Sequence, residues 1–159
     1  MPNFATLALI IFLAVLYGRS SRMGTFSMVL LHLPSTLLHE LAHLIVGLLT
    51  FSGVSGFSLW PRREDGYWVL GSVQCSRLGW FGAIPVGLAP ALLWVPLAWF
   101  AFQARTMPGY VWSFLLLTAA VPSAQDVEVA CSNFAGLLFW GPVLFVGSAL
   151  LWGAWWEWI

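Results

Sequence analysis

The chain has 159 residues, 60% of them hydrophobic and 8% charged, with a mean hydropathy of +0.88. An average soluble domain carries roughly 25% charged residues. The few Arg and acids present, with no Lys, cannot cover the surface of a soluble fold of this size, which excludes an ordinary cytosolic domain, a disordered chain and a basic nucleic-acid binder, and the net charge of zero gives no field to attract a partner.

What remains is a chain whose solvent is mostly lipid. A membrane-spanning helix needs about 20 mainly apolar residues. Charge-free stretches run over 1–18, 78–104, 106–125 and 129–156, and the stretch 23–61 carries the single charge Glu40. The expectation is a single integral membrane domain over 1–159: an all-α, polytopic bundle of about five transmembrane helices near 3–18, 24–51, 79–102, 110–125 and 133–156. The first segment does not read as a signal peptide, because Arg19 and Arg22 follow its apolar run instead of preceding it. Those two Arg in a short loop argue for a cytoplasmic loop, but Arg62, Arg63 and Arg77 in the next long connection blunt the asymmetry.

That connection, 52–78, is the one long loop. Its aromatic runs Phe57–Trp60 and Tyr67–Val73 flank Pro61–Gly66, and Asp65–Gly66 is a turn signal, so a small interfacial hairpin or an irregular loop is expected after the second span. The third span is rich in Gly82, Pro85, Gly87, Pro90 and Pro96, which suits close helix packing or a loosened backbone. Trp152, Trp155, Trp156 and Trp158 are expected to anchor the C-terminal end at the lipid–water boundary. Cys75 and Cys131 fall on one predicted side and read either as a pair or as two inert thiols.

The sharpest signal is His39-Glu40-Leu41-Ala42-His43, an H-E-x-x-H pattern within a run 35–46 that no Pro or Gly interrupts. Residues four apart on a helix lie one above the other, so both imidazoles can reach one ion at about 2.0–2.1 Å. Zinc lowers the pKa of a water toward about 7, and the neighbouring carboxylate of Glu40 can take its proton. Ionisable groups inside a membrane are costly and functional by default. The competing reading is a structural polar cluster between helices. A haem would need ligands on opposite faces of a ring, whereas all three His, including His32, lie on one span. His32 reads as a packing or entry-face residue.

A catalytic zinc site uses three protein ligands. Asp126 is the best third candidate. His39 lies 15 residues after Gly24 and Asp126 lies 16 after Tyr110, so on parallel spans both sit at about the same depth. Glu128 is its rival. Ser123-x-x-Asp126 after Pro122 also reads as a capping box, which would make Asp126 a helix-start residue.

These residues resemble the site-2-protease type of intramembrane zinc metallopeptidase. The likeness rests on His39-Glu40-Leu41-Ala42-His43 in an early helix and on the Pro122-Ser123 to Asp126 run in a later one, and it covers about 24–130. It implies His39, His43 and Asp126 as zinc ligands, Glu40 as general base, and transmembrane protein segments as substrates. It departs from the better-known members in lacking a Leu-Asp-Gly setting for the Asp, any PDZ or CBS domain, and a clear counterpart of their substrate-holding Asn, for which Asn133 is the candidate. The expected function is therefore a zinc-dependent metalloendopeptidase of a bacterial or archaeal cell membrane, with the lipid bilayer and a membrane partner protein as its contacts. The alternative is a non-catalytic metal-binding membrane subunit or scaffold.

Overall fold

Helices and one long hairpin alternate along the chain. The computed structural model describes residues 4–64, 66–103 and 106–156. Asp65 of the expected turn, Arg105, Trp158 and the side chains of Trp152, Trp155 and Trp156 lie outside what is described. Helix α1 (Phe4–Arg19) leads through a short 3-10 turn (Ser20–Arg22) into α2 (Thr25–Leu49). Gly24, with φ +97°, makes the corner before α2. At the other end, Phe51 takes φ +53°, Ser52 N–H bonds Gly47 O at 2.9 Å and Phe51 N–H bonds Leu48 O at 3.2 Å. This is a Schellman closure with Phe in the place usually held by Gly.

Four short strands follow: β1 (Val54–Ser58), β2 (Arg62–Glu64), β3 (Tyr67–Val69) and β4 (Ser72–Cys75). The antiparallel ladders β1–β4 and β2–β3 nest into one long hairpin with a register shift between Val54 and Gly56. Then come α3 (Ala83–Gly87), a 3-10 segment (Ala89–Leu93), α4 (Trp94–Gln103), α5 (Met107–Ala119), α6 (Ala124–Cys131) and α7 (Phe134–Trp156).

The expected all-α bundle of five spans is not what the chain builds. Among the described residues only α2 is long and apolar enough to cross a membrane, and α5 and α6 meet that requirement only together, across a bend of 53°. Within α1, the 3-10 segment with α4, and α7, the apolar stretches whose side chains are described, Ala8–Arg19, Ala89–Phe100 and Phe134–Ala149, each stay under 18 residues. The physical reason lies in the prolines. A proline has no N–H to continue a helix and clashes with the carbonyl four residues back. Pro90 and the flanking Gly87 split the expected third span into α3, a 3-10 segment and α4. Pro122 and the cap at Ser123 split the fourth. The 52–78 connection folds as the hairpin, so small sheets join the helices.

Helix α2 is the hub: α3, α5, the 3-10 segment and the hairpin strands β1 and β4 all pack on it. The contact is made by small residues. Ala42, Val46, Val86 and Ala89 form the buried cluster, with Cys75 and Leu93 against it. Ala83, Ala119, Ala120 and Ala130 are buried nearby. Such short side chains let backbones approach closely, which brings the ends of α3, α5 and α6 beside the middle of α2.

Candidate metal centre

His39 and His43 stand one turn apart on α2, with ring centroids 4.9 Å apart. Each ring is held through Nδ1 by a carbonyl at a helix end. His39 Nδ1 donates to Ala119 O at 2.9 Å, and His43 Nδ1 donates to Val86 O at 2.8 Å. Neither carbonyl has an N–H available four residues on to close a helical bond, because the chain breaks just beyond them. The N–H that would reach Val86 O belongs to position 90, a proline. Beyond Ala119, Pro122 has no N–H, and Ser123 N–H is directed to Asp126 Oδ2 at 2.6 Å. The last carbonyls of any helix lack intrahelical partners, and here the imidazoles take them.

Asp126 arrives from the first turn of α6. Its Oδ2 accepts the Ser123 N–H while Ser123 Oγ accepts the Asp126 N–H at 3.2 Å, so the capping box read from sequence is formed. Capping and pointing at the imidazoles are not alternatives: the same carboxylate does both. Asp126 Oδ1 lies 3.0 Å from His43 Nε2, Oδ2 lies 3.2 Å from His39 Nε2, and the two Nε2 atoms are 3.2 Å apart.

These separations carry chemical meaning. A carbonyl oxygen only accepts, so each Nδ1 must hold a proton, and a neutral ring then presents a bare lone pair at Nε2. With both rings neutral, two lone pairs and a carboxylate face one another, an arrangement that a shared cation stabilises. Ligands bonded at 2.0–2.1 Å around a tetrahedral zinc are about 3.3 Å from one another. The observed spacings fit that edge length, and the carbonyl partners are the outer hydrogen bonds that orient metal-binding imidazoles. The donor set His39, His43 and Asp126 therefore fits a zinc ion.

Glu40, the next residue along α2 from His39, is buried and lines the same cavity. This cavity of about 700 Å³ runs from the His39, His43 and Asp126 cluster under the hairpin to Arg62 and Glu64, which form an ion pair of 2.7 Å. Gly71, between β3 and β4, lies directly on Glu40. A Cβ at Gly71 would stand 2.6 Å from Glu40 Cγ and 2.8 Å from Thr36 Cγ2. Only glycine lets the hairpin lie that close to the carboxylate.

The other sequence candidates are elsewhere. Glu128 is exposed and outside the cluster. His32 bonds Ser20 Oγ at 2.7 Å and stacks on Tyr17 with centroids 3.7 Å apart, which is a packing role. Asn133 Oδ1 caps α7 by accepting Gly136 N–H at 3.3 Å. Cys75 and Cys131 are both free thiols. Sequence reasoning missed Val86, Ala119 and Gly71; the prolines at 90 and 122 were the available signal for the first two.

No family model, curated protein or solved structure matches the chain.

Proposed function

We propose that the chain is an intramembrane zinc metalloprotease, a metalloendopeptidase that cuts membrane-embedded protein segments in a bacterial or archaeal cell membrane. One observation carries the reading: the Nε2 atoms of His39 and His43 on α2 and the Asp126 carboxylate from α6 converge at 3.0–3.2 Å, with Glu40 adjoining, and among the described residues α2 is the one helix long and apolar enough to cross a membrane. The resemblance of the His39–His43 motif and of the Asp126 region to site-2-protease-type enzymes supports the same assignment.

His39, His43 and Asp126 would hold the ion. Bound there, zinc supplies a Lewis acid that makes water acidic and polarises a carbonyl. The Glu40 carboxylate takes the proton of the attacking water and returns it to the amine that leaves. Ala119 O and Val86 O keep both imidazoles in the tautomer that offers Nε2. A substrate helix hides its scissile carbonyl in its own hydrogen bonds and must unwind first. Strand β4 pairs with β1 by one edge and also lines the cavity. Its second edge suits an extended segment, which would add as a strand.

The test separates metal from catalysis. Purified protein is expected to carry one zinc per chain and to lose it in His43→Ala. Glu40→Gln should keep the zinc and lose cleavage of a co-expressed membrane substrate by about 10²-fold or more. Full cleavage by Glu40→Gln removes Glu40 as base. Absence of zinc from the wild-type protein removes the metalloprotease reading.

A further inference from the structure

A second groove, of about 360 Å³, lies at the opposite end of α1 from the N-terminus and is lined by Phe12, Val15, Leu16, Arg19, Arg22 and Met23. The first four follow helical spacing i, i+3, i+4, i+7 and form one stripe on α1. Phe12 is 61% exposed and Met23 52%, so the stripe is not covered by the protein. Arg22 continues the stripe through the 3-10 turn, where residues three apart eclipse, so the guanidiniums of Arg19 and Arg22 are carried on one side. Their turn is fixed from below. Ser20, 2% exposed, donates to Tyr17 O at 2.7 Å and meets His32 Nε2 on α2 at 2.7 Å. Among the described residues no carboxylate is in ion-pair range of either Arg.

We propose that this groove is a binding site for one anionic phospholipid, its phosphate forked between Arg19 and Arg22 and an acyl chain lying along Leu16, Val15 and Phe12. The chemistry commits the occupant. Two unpaired guanidiniums three residues apart match a phosphate's oxygens. An apolar stripe about 10 Å long leading away from them matches a hydrocarbon chain, which a free phosphate or an acidic peptide lacks. A zwitterionic lipid offers the same chain with no net charge.

The experiment equilibrates the full chain, in neutral detergent, with phosphatidylglycerol and phosphatidylcholine of matched acyl chains and counts retained lipid by native mass spectrometry. The expected result is one phosphatidylglycerol held in preference to phosphatidylcholine. The preference should fall about tenfold in the Arg19→Gln, Arg22→Gln double variant and partly in each single variant. It should survive in Arg63→Gln, Arg77→Gln, which removes the same charge elsewhere. Val15→Trp, which fills the groove and leaves both charges, should also lose the lipid. Equal retention by the double variant, equal loss in the Arg63 and Arg77 control, or displacement of the lipid by millimolar inorganic phosphate would each overturn the assignment.

Discussion

At the scale of single residues, the centre depends on hydrogen bonds that prolines make available. Val86 O accepts from His43, and position 90, a proline, has no N–H to close the helical bond to it. Pro90→Ala supplies that N–H, and the carbonyl becomes shared between the backbone and the imidazole. Outer hydrogen-bond partners of metal-binding His are typically worth 10–100-fold in affinity, so zinc affinity by competition with a chelator should drop about tenfold. Pro96→Ala, in α4, should leave it unchanged. Equal affinities in the Pro90 variant and the wild type would show that the absent helical bond is unimportant. Two other residues make checks of the local surroundings. Burial pushes the Cys75 thiol above its ordinary range, whereas Cys131 is exposed. The thiolate is the reactive form, so iodoacetamide near neutral pH should label Cys131 well ahead of Cys75, and raising the pH should narrow the gap. Phe51 holds a left-handed conformation at 88% exposure. Phe51→Gly gives up little packing and relieves about 1 kcal/mol of backbone strain, which should appear as a higher unfolding midpoint in detergent.

At the scale of elements, the site is an assembly of helix ends brought to the middle of α2. Helices α3 and α6 approach closely at Gly87, where a Cβ would stand 2.5 Å from Asp126 O and 2.7 Å from Ala130 N. Those neighbours are backbone atoms and cannot turn aside. Gly87→Ala must therefore displace the first turn of α6, and with it the Asp126 carboxylate. The expected outcome is overpacking of about 1–3 kcal/mol together with weakened zinc binding; a stable variant that binds zinc normally would mean that α6 tolerates the shift. This level also explains what the sequence could and could not disclose. His39, Glu40 and His43 were readable because a helix turns motif spacing into geometry within a few residues. Asp126 was reachable because counting residues along two parallel spans put it at the depth of His39, while the helix start marked by Pro122 and Ser123 read as a competing role. The number of crossings was not readable. Hydropathy counts apolar residues without regard to whether a backbone can stay helical through them, and the Gly87, Pro90 and Pro122 breaks convert continuous apolar runs into short bent pieces. The turn signal left a hairpin and an irregular loop both open, and the contact of Gly71 with Glu40 depends on how the segment folds back, which no local pattern encodes.

At the scale of the molecule, the interior is thin and the exterior is apolar. The chain exposes 11013 Å², against roughly 7,900 Å² for a compact soluble protein of 17.6 kDa. Much of the exposed surface is large and apolar, including Phe26 at 81% on α2, Val95 at 73% on α4 and Phe145 at 75% on α7. The buried cluster, by contrast, is made of Ala42, Val46, Val86 and Ala89, which supply little apolar area to bind the pieces together. Helices α2, α5, α3 and α6 meet at the candidate metal centre through His39, His43, Asp126 and the carbonyls of Ala119 and Val86. An ion there would cross-link elements that packing alone joins weakly. Ligand linkage then sets the size of the effect. Free zinc at a hundred times its dissociation constant adds about 2.7 kcal/mol to the folded state, which for a chain of this length corresponds to a midpoint shift of about 5–10 °C. Detergent-solubilised protein stripped with a chelator should unfold that much earlier and recover when zinc is restored. Asp126→Asn should show a much smaller shift, because the neutral amide keeps the shape of the side chain but offers the ion a weaker ligand. The variant also separates metal from capping, since the amide oxygen can still accept the Ser123 N–H. If wild type and Asp126→Asn respond to the chelator equally, the helix ends are held by packing and caps alone and the cluster is not their metal cross-link.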